Sequence, residues 1–594
     1  MSTSPRSELF PIERLSALWQ SSERFAILDT DSRSPAQFDA VRAAWTASPH
    51  AHSAARILHY VALCAPASDG PLPNATPSAW HRALPGFLRT PLDHGTIQLT
   101  TARGEPERLL KDLAATFDAI LLSSPAPSNA AALARVSRPG TLLLAHFRDT
   151  PTEAALERAG FKIAPISSGF EARFRTEPTR KSPPTTVPQT REAIILGAGL
   201  AGSAAASSLA RRGWTIHVLE REQAPAMAAS GNLAAVFSPM LSLDDGIAAQ
   251  LSRSSYLTLL QELLALGTSS TPVHWDACGV LQLARTPTER ERMRAIVERH
   301  QYPADFVRFL DCGDTSTEAG HSLSAASWLF PHAGWLNPPS LCRARLAHPA
   351  IHLHTGSPVL RLQSDGNLWR ALATDDALLA EAPVVILANG YEATHLAQAT
   401  HLRFKKVRGQ VSHLPARLLP HSPRVLTGDG YLTPPTQGHC SLGATYDFDS
   451  HNPLLEEASH HTNLAHLHAF FPDTTPHIPT SQLDGRVGFR SLTPDRLPLI
   501  GALPAPPNSH SGPHTNFIKS VPGIFTLLGL GSRGVVWSAL AGEILASRIA
   551  GEPAPVPLSI LRAVDPARFL FPNTNTNSNS NSKAKSTRRS HTTQ

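Results

Sequence analysis

The stretch Ala193-Ile-Ile-Leu-Gly-Ala-Gly-Leu-Ala-Gly202 decides how the chain is read. A short apolar run of mostly branched residues ends in Gly197, Gly199 and Gly202, and an Ala-rich segment carries on to Arg212. A second apolar run, Thr215-Ile-His-Val-Leu219, stops at Glu220. Strand, glycine turn, helix, strand and terminal acid in that order predict a dinucleotide-binding unit. In such a unit Gly197 permits the tight turn, the Ala198-Gly199 backbone approaches a pyrophosphate, and Gly202 lets the helix pack closely on the strand. The free amides of the helix N-terminus face the anion. Glu220 follows the first glycine by roughly the 20 residues expected of an acid that accepts hydrogen bonds from a ribose.

Outward from that unit, 594 residues are too many for one ordinary core, so two or more domains are expected. A hydrophobic content of 42% suits globular folding, and 52 prolines imply many loops and linkers. The formal charge of +6 and the pI near 9.2 would help a polyanion approach without identifying one. Cys64, Cys278, Cys312, Cys342 and Cys440 form no CxxC pair, and no histidine cluster has zinc-ligand spacing. Buried thiols in a reducing cytoplasm, and no metal, are the expectation. Met1 to Glu13 lacks a signal-type apolar core, and no apolar run approaches the ~20 residues of a membrane span, so a soluble cytoplasmic protein is expected. Nothing in the pattern reads out an oligomeric state.

Residues 1–174 alternate strand and helix signals. Phe25–Leu28, Ile57–Leu63, Ala119–Leu122 and Gly140–Ala145 read as strands and Ala36–Trp45 as a helix, an α/β domain with a parallel sheet. Residues 175–191 are polar, Pro-rich and aperiodic, an interdomain linker. Residues 192–571 open with the dinucleotide unit and return at Gly523-Ile-Phe-Thr-Leu-Leu-Gly-Leu-Gly531, with a helix from Val535 to Ile549. Between these, Pro383–Gly390 reads as a buried strand ending in glycine. Alternation over Val407–Leu414 and His439–Tyr446 predicts an inserted antiparallel sheet. Residues 572–594 are Asn/Ser/Thr repeats followed by Lys583, Lys585, Arg588 and Arg589, a tail with no means to pack a core. It reads as a solvated tail or a weak RNA contact.

The second region resembles the D-amino acid oxidase and glycine oxidase family. Ala228-Ala-Ser-Gly-Asn232 lies where that family sets small residues (Ser230, Gly231, Asn232) against FAD, and Leu528-Gly-Leu-Gly-Ser-Arg-Gly534 lies where it places Gly531, Ser532 and Gly534 at a helix N-terminus beside the isoalloxazine. Gly334-Trp-Leu-Asn-Pro-Pro-Ser-Leu-Cys-Arg343, Arg408-Gly-Gln-Val-Ser412 and Asp429-Gly-Tyr-Leu-Thr-Pro434 narrow the resemblance to the bifunctional tRNA-modifying MnmC family. That resemblance implies oxidative removal of the carboxymethyl group from 5-carboxymethylaminomethyl(-2-thio)uridine at the tRNA wobble position, with FAD as hydride acceptor. Arg490, in Gly488-Phe-Arg-Ser-Leu-Thr-Pro, matches the carboxylate-binding arginine of glycine-oxidase-like enzymes, or is a surface arginine. Arg533 matches a second arginine near the substrate, with a phosphate or ribose contact as its rival role. Tyr431 would bond the substrate, cover the flavin or fill the core. Arg408, Gln410 and Asn389 either line the site or, more in keeping with polar residues in strands, belong to the framework. The same motifs would also serve an FAD oxidase of a free small amino acid, or a tRNA-binding scaffold without activity.

The family's N-terminal half is an S-adenosylmethionine-dependent methyltransferase. Here its glycine-rich loop is Thr30-Asp-Ser-Arg-Ser34, without a glycine, so Asp31, Ser32 and Arg33 put side chains where the cofactor needs bare backbone. The ribose-binding acid falls on Cys64, and the active-site Asp, ahead of Ala126-Pro127, falls on Ser123. The expected architecture is therefore α/β: a degenerate Rossmann-like methyltransferase-type domain, then an FAD-binding Rossmann domain with an inserted antiparallel-sheet substrate domain.

Overall fold

Glu192–Leu196 is buried along its length after the first residue, as befits an apolar run covered on both faces of a parallel sheet. The computed structural model in which it lies describes residues 10–570, apart from 21, 49–55, 67–80, 82, 176–189, 268–269, 421, 472–477 and 507–517. Most of the Pro-rich linker and all of the 572–594 tail fall outside the described residues.

Around Glu192–Leu196 runs a six-stranded sheet in the order Ile351–His354, Thr215–Leu219, Glu192–Leu196, Val384–Leu387, Ser520–Leu528, Leu499–Pro504. Its strands are parallel except for the last, which is antiparallel to its neighbour. The helix Leu200–Ala210 is buried nearly all round because Ala, Gly and Ser leave room for a neighbour. That neighbour is the C-terminal helix Gly534–Ala550, and a Cβ on its Gly542 would stand only 2.7 Å from the Ala204 carbonyl oxygen.

The alternating segments form the expected second sheet. It has eight strands, ending in the order Tyr431–Leu432, His439–Gly443, Lys405–Pro415, Asp484–Leu492, and these last four pair antiparallel. Lys405–Pro415 and Asp484–Leu492 form its longest ladder, with Val407 opposite Arg490 and Gly409 opposite Gly488.

The N-terminal residues build another eight-stranded sheet, ordered Gly86–Leu92, Ile97–Arg103, Ile57–Cys64, Arg24–Asp29, Phe117–Leu122, Ser137–Ala145, Gly169–Phe174, Phe161–Ile166. Its middle five strands are parallel. Separate apolar cores cover its two faces.

This sheet is fastened to the rest by buried polar contacts. Ser254 Oγ on helix Ile247–Leu266 donates to the Phe87 carbonyl at 3.0 Å. Asp112 accepts the Ser559 amide at 2.9 Å and hydroxyl at 2.6 Å. Arg89, itself buried, reaches Ser547 Oγ at 2.7 Å and the Pro553 carbonyl at 2.5 Å. Beside it Arg212 donates to Glu552 and Glu543, each at 2.9 Å, and His59 Nε2 lies 3.7 Å from Glu552. Burial alone would raise the Glu552 and Glu543 carboxyls, but Arg212 holds both below the usual range. Burial pushes His59 down to about 3, so it sits there neutral.

Cys64, Cys342 and Cys440 are buried free thiols, whereas Cys278 and Cys312 are only half-buried because they stand at loop and helix starts, a correction to the expectation of uniformly buried thiols. Among the described residues no helix is long and apolar enough to cross a membrane.

Glu552→Ala would leave Arg212 with one of its two carboxylates and remove the carboxylate that faces His59 and Arg24. Breaking such a buried cluster costs about 3–5 kcal/mol. Calorimetry should show the variant unfolding at a clearly lower temperature, and an unchanged midpoint would refute the role given to this cluster.

Candidate active site

Gly197 has φ of +99°, so the turn after Glu192–Leu196 needs glycine there. A Cβ at this position would also crowd Ala388 O and Asn389 Cα at 3.0 and 3.1 Å. A Cβ on Gly202 would lie 1.8 Å from the Gly197 carbonyl oxygen, so helix and strand backbones touch directly. Gly199 caps the helix in extended conformation. Glu220, buried at the end of its strand, accepts the Ala198 amide at 2.7 Å on Oε2 and the Glu222 amide at 3.0 Å on Oε1. A carboxylate has about four lone-pair sites, so two are left for ribose hydroxyls.

The segment Ala228–Asn232 closes over this end. Ser230 Oγ accepts the Leu200 amide at 3.1 Å, the first of the helix, and Asn232 follows half-buried. Arg486 holds the segment from outside, donating to the Met227 carbonyl and, at 2.5 Å, to that of Ala228, while lying across Gly231. Arg486 escaped the sequence reading; its only signal was its place one turn of the pleat before Arg490 in a strand of glycines and arginines.

The second helix terminus arrives at the same place. Gly531 takes φ of +56° in the turn Gly531–Arg533, Ser532 is exposed, and Gly534 opens the C-terminal helix. A Cβ on Gly534 would be 3.3 Å from Leu200 Cδ1, so the N-termini of the two helices converge. Asn389, whose Cα lies against Gly197, has its Oδ1 buried without a hydrogen-bond partner among the described residues. Two converging helix ends, a glycine cradle with no room for side chains, a buried acid with free lone pairs and an orphaned amide oxygen fit a bound dinucleotide such as FAD.

Arg490 stands on the Asp484–Leu492 strand, its guanidinium over Gly409 of the paired strand. It donates to the Thr445 carbonyl at 3.1 Å and lies 5.4 Å from the centre of the Tyr446 ring. Burial lowers its pKa, with Tyr431 and Tyr446 acting the other way. It has no carboxylate partner among the described residues. Tyr431 is pushed up to about 12 by burial, despite the Arg490 charge that opposes this, so its phenol stays protonated. Arg533 lies at the turn whose Gly531 packs on Leu492, the end of the Arg490 strand. Burial lowers its pKa also, and its guanidinium likewise has no carboxylate partner among the described residues.

Arg408 and Gln410 take the framework role of the two left open for them. Arg408 is fully buried and donates to Asn452 O, Ser459 Oγ, Leu454 O and Gln410 Oε1. Gln410 in turn bonds the Glu456 amide and carbonyl. Their bonds are spent on anchoring residues 452–459 to the sheet. Among the described residues no group of His, Cys, Asp or Glu is placed to hold a metal ion.

At the N-terminal sheet, the loop after Arg24–Asp29 is tied by its backbone to the strands on both sides. Thr30 donates from its amide to the Leu121 carbonyl at 3.1 Å, and Ser32 from its amide to the Leu63 carbonyl at 2.8 Å, one on either side of Arg24–Asp29. Asp31 pairs with Arg33, Ser32 and Cys64 are buried, and Ser123 is exposed. Such strand ends are where open α/β sheets take ligands, and this loop presents side chains there with no glycine. Asp29, buried beneath the loop, is pushed up to about 6 by desolvation although Tyr60 donates to it at 2.9 Å.

Residues 192–548 match the family of FAD dependent oxidoreductases of DAO type. Over 94% of this chain and 91% of the relative, the sequence is 37% identical to the tRNA 5-methylaminomethyl-2-thiouridine biosynthesis bifunctional protein MnmC of Aromatoleum aromaticum. It is 35% identical to the protein of the same name from Burkholderia vietnamiensis, over 94% and 92%. In fold, 64% of the chain superposes on 99% of glycine oxidase from Geobacillus kaustophilus with a TM-score of 0.51 at 19% identity.

Gly202→Ala forces the helix off the strand, and the purified variant should lack the flavin absorbance of the parent near neutral pH. Asp29 keeps its proton to higher pH in the folded than in the unfolded chain, so it costs stability as pH rises from about 4 to about 6 and above. Asp29→Asn should therefore unfold later than the parent at pH 8, by roughly 3 kcal/mol, and gain little at pH 4; denaturant titrations at the two pH values check the sign.

Proposed function

The chain belongs to the MnmC family of bifunctional tRNA 5-methylaminomethyl-2-thiouridine biosynthesis proteins, with an oxidoreductase half of DAO type, and from that premise we propose that it is a tRNA-modifying FAD-dependent oxidoreductase. Its substrate is the 5-carboxymethylaminomethyl(-2-thio)uridine of a tRNA wobble position, and its products are the 5-aminomethyl base and glyoxylate. Residues 192–571 carry the reaction. Residues 1–174 are a scaffold without methyltransferase activity, a reading supported by the loop Thr30–Ser34, which holds no glycine.

The observation that carries the proposal is Arg490, a largely buried guanidinium against the Tyr446 ring with no carboxylate partner among the described residues. A planar, permanently charged group of this kind takes a carboxylate through two parallel hydrogen bonds. Gripping the substrate there orients the carbon between amine and carboxylate, which is worth more than affinity alone because the reacting C–H bond must point at its acceptor. Bound FAD supplies the hydride acceptor, held through Gly197, Ala198, Gly199, Gly202 and Glu220, with Ser230, Gly231, Asn232, Gly531, Ser532 and Gly534 around it. Arg533, on the turn whose Gly531 packs against the end of the Arg490 strand, is a second cation for the substrate. The Tyr431 phenol remains a hydrogen-bond donor throughout the physiological range, since it titrates only at about 12. After hydride loss the imine is hydrolysed by water. The substrate amine must be neutral to react, so activity rises with pH as that amine loses its proton.

Anaerobic titration of the yellow holoenzyme tests this: carboxymethylaminomethyl-modified tRNA should bleach the flavin and free glycine should not. Arg490→Met should keep its flavin and lose roughly 100-fold or more in kcat/KM, because a charge recognition is removed from a desolvated site. Arg490→Lys, which cannot make the bidentate contact, should fall between. A colourless protein unable to take up FAD would end this reading.

A further inference from the structure

On the same side of the sheet as Arg490, two aromatic rings are left in the open. Tyr446 and Phe448 are 41% and 46% exposed, although large aromatic side chains normally supply buried area. Their ring centres are 5.2 Å apart at 73°. Arg490 lies 5.4 Å from the Tyr446 ring and Lys405 Nζ lies 5.7 Å from the Phe448 ring. Lys406 is close by, 4.7 Å from the ring of Phe489, the residue before Arg490. From the buried guanidinium out to solvent the order is thus cation, two rings, cation.

The segment that bears the rings is held rigidly. Asp447, between them, exchanges both backbone hydrogen bonds with Arg408, at 2.8 and 2.9 Å. Its carboxylate accepts the Asp449 and Ser450 amides at 3.0 and 3.2 Å. Thr445 accepts the Gln410 amide at 2.9 Å and presents to Arg490 the carbonyl that holds it. The buried Arg408 network is thus the footing on which Tyr446 and Phe448 are displayed.

We infer that Tyr446 and Phe448 are a stacking platform for an unpaired RNA base next to the modified uridine, with Lys405 placed for the adjoining backbone phosphate. The inference rests on the tRNA substrate proposed above. Every base has a π-face, so exposed aromatics beside a cation take single-stranded RNA without base-specific hydrogen bonds. The carboxymethyl arm goes inward to Arg490, and what the buried site does not enclose is the rest of the anticodon loop. A free amino acid has nothing to lay on these rings, so the platform separates an RNA-borne amine from a free one.

The test uses FAD-loaded full-length protein and an anticodon stem-loop carrying the carboxymethylaminomethyl uridine. Phe448→Ala should raise its dissociation constant and KM roughly 5- to 100-fold, the usual range for losing one base stack, with the loss in KM rather than kcat. Phe448→Trp should retain binding. Lys405→Ala should instead flatten the dependence of log Kd on log salt by about one phosphate contact, a slope that Phe448→Ala leaves alone. Flavin content certifies that each variant has folded. Wild-type affinity in flavin-loaded Phe448→Ala would overturn the platform while leaving the tRNA reading intact. A parent enzyme that ignores the modified RNA altogether would overturn the functional reading itself.

Discussion

Two backbone contacts without side chains between them set the geometry of this protein. Gly202 rests on the carbonyl of Gly197, and Gly542 on that of Ala204. The first brings the dinucleotide helix down onto its strand; the second brings the C-terminal helix down onto that helix. Packing at this range is available only where Cβ atoms are absent or small, and it is why the Leu200–Ala210 sequence is nearly all Ala, Ser and Gly. The result is functional, because it aims two helix N-termini at one place, where their partial positive charges add. The substrate sheet enters the same place from the other side, through Gly488 and Arg486 against the 227–231 segment.

The N-terminal half is held to this assembly by charges that neither half could bury alone. Arg212, Glu543 and Glu552 come from the oxidoreductase side, and Arg89, His59 and Arg24 from the other. Buried ion networks seldom add much stability against an apolar alternative, but losing one partner strands the others. Such an interface makes removal of the N-terminal domain costly to the oxidoreductase side as well, because it would leave Arg212, Glu543 and Glu552 without the groups packed against them.

Much of this was legible in the sequence, for physical reasons that differ by element. The glycine triplet, Glu220 and the alternating strands are local patterns, and local geometry realises them closely, although the strand expected over His439–Tyr446 stops at Gly443. Four strands of the N-terminal sheet were visible because parallel strands buried on both faces are continuous apolar runs, whereas Gly86–Leu92, Ile97–Arg103, Phe161–Ile166 and Gly169–Phe174, richer in polar residues, were not. Arg408 and Gln410 stayed open between two roles because a polar residue in a strand looks the same whether it faces a substrate or a buried loop; only the tertiary position of residues 452–459 decides. Arg486 and Tyr446 were missed for the related reason that their partners, the 227–231 segment and Arg490, are remote in sequence. The charge network between the halves left no sequence signal, since its members are scattered from Arg24 to Glu552.

A buried guanidinium without an anion is an unfavourable arrangement, and the way it is tolerated here bears on the reaction. Desolvation works against the charge of Arg490, and only the Thr445 carbonyl and the faces of aromatic rings offset it. A carboxylate entering this site relieves that cost, so acid-bearing ligands are favoured over ligands of the same shape that lack the group. In the proposed reaction the base that remains on the RNA has lost its carboxylate, which departs with glyoxylate. The product therefore forfeits the interaction that drew the substrate in, and is left with the weaker, salt-sensitive contacts of the RNA backbone. The same unpaired charge that selects the substrate thus favours release of the product, without any moving part being required.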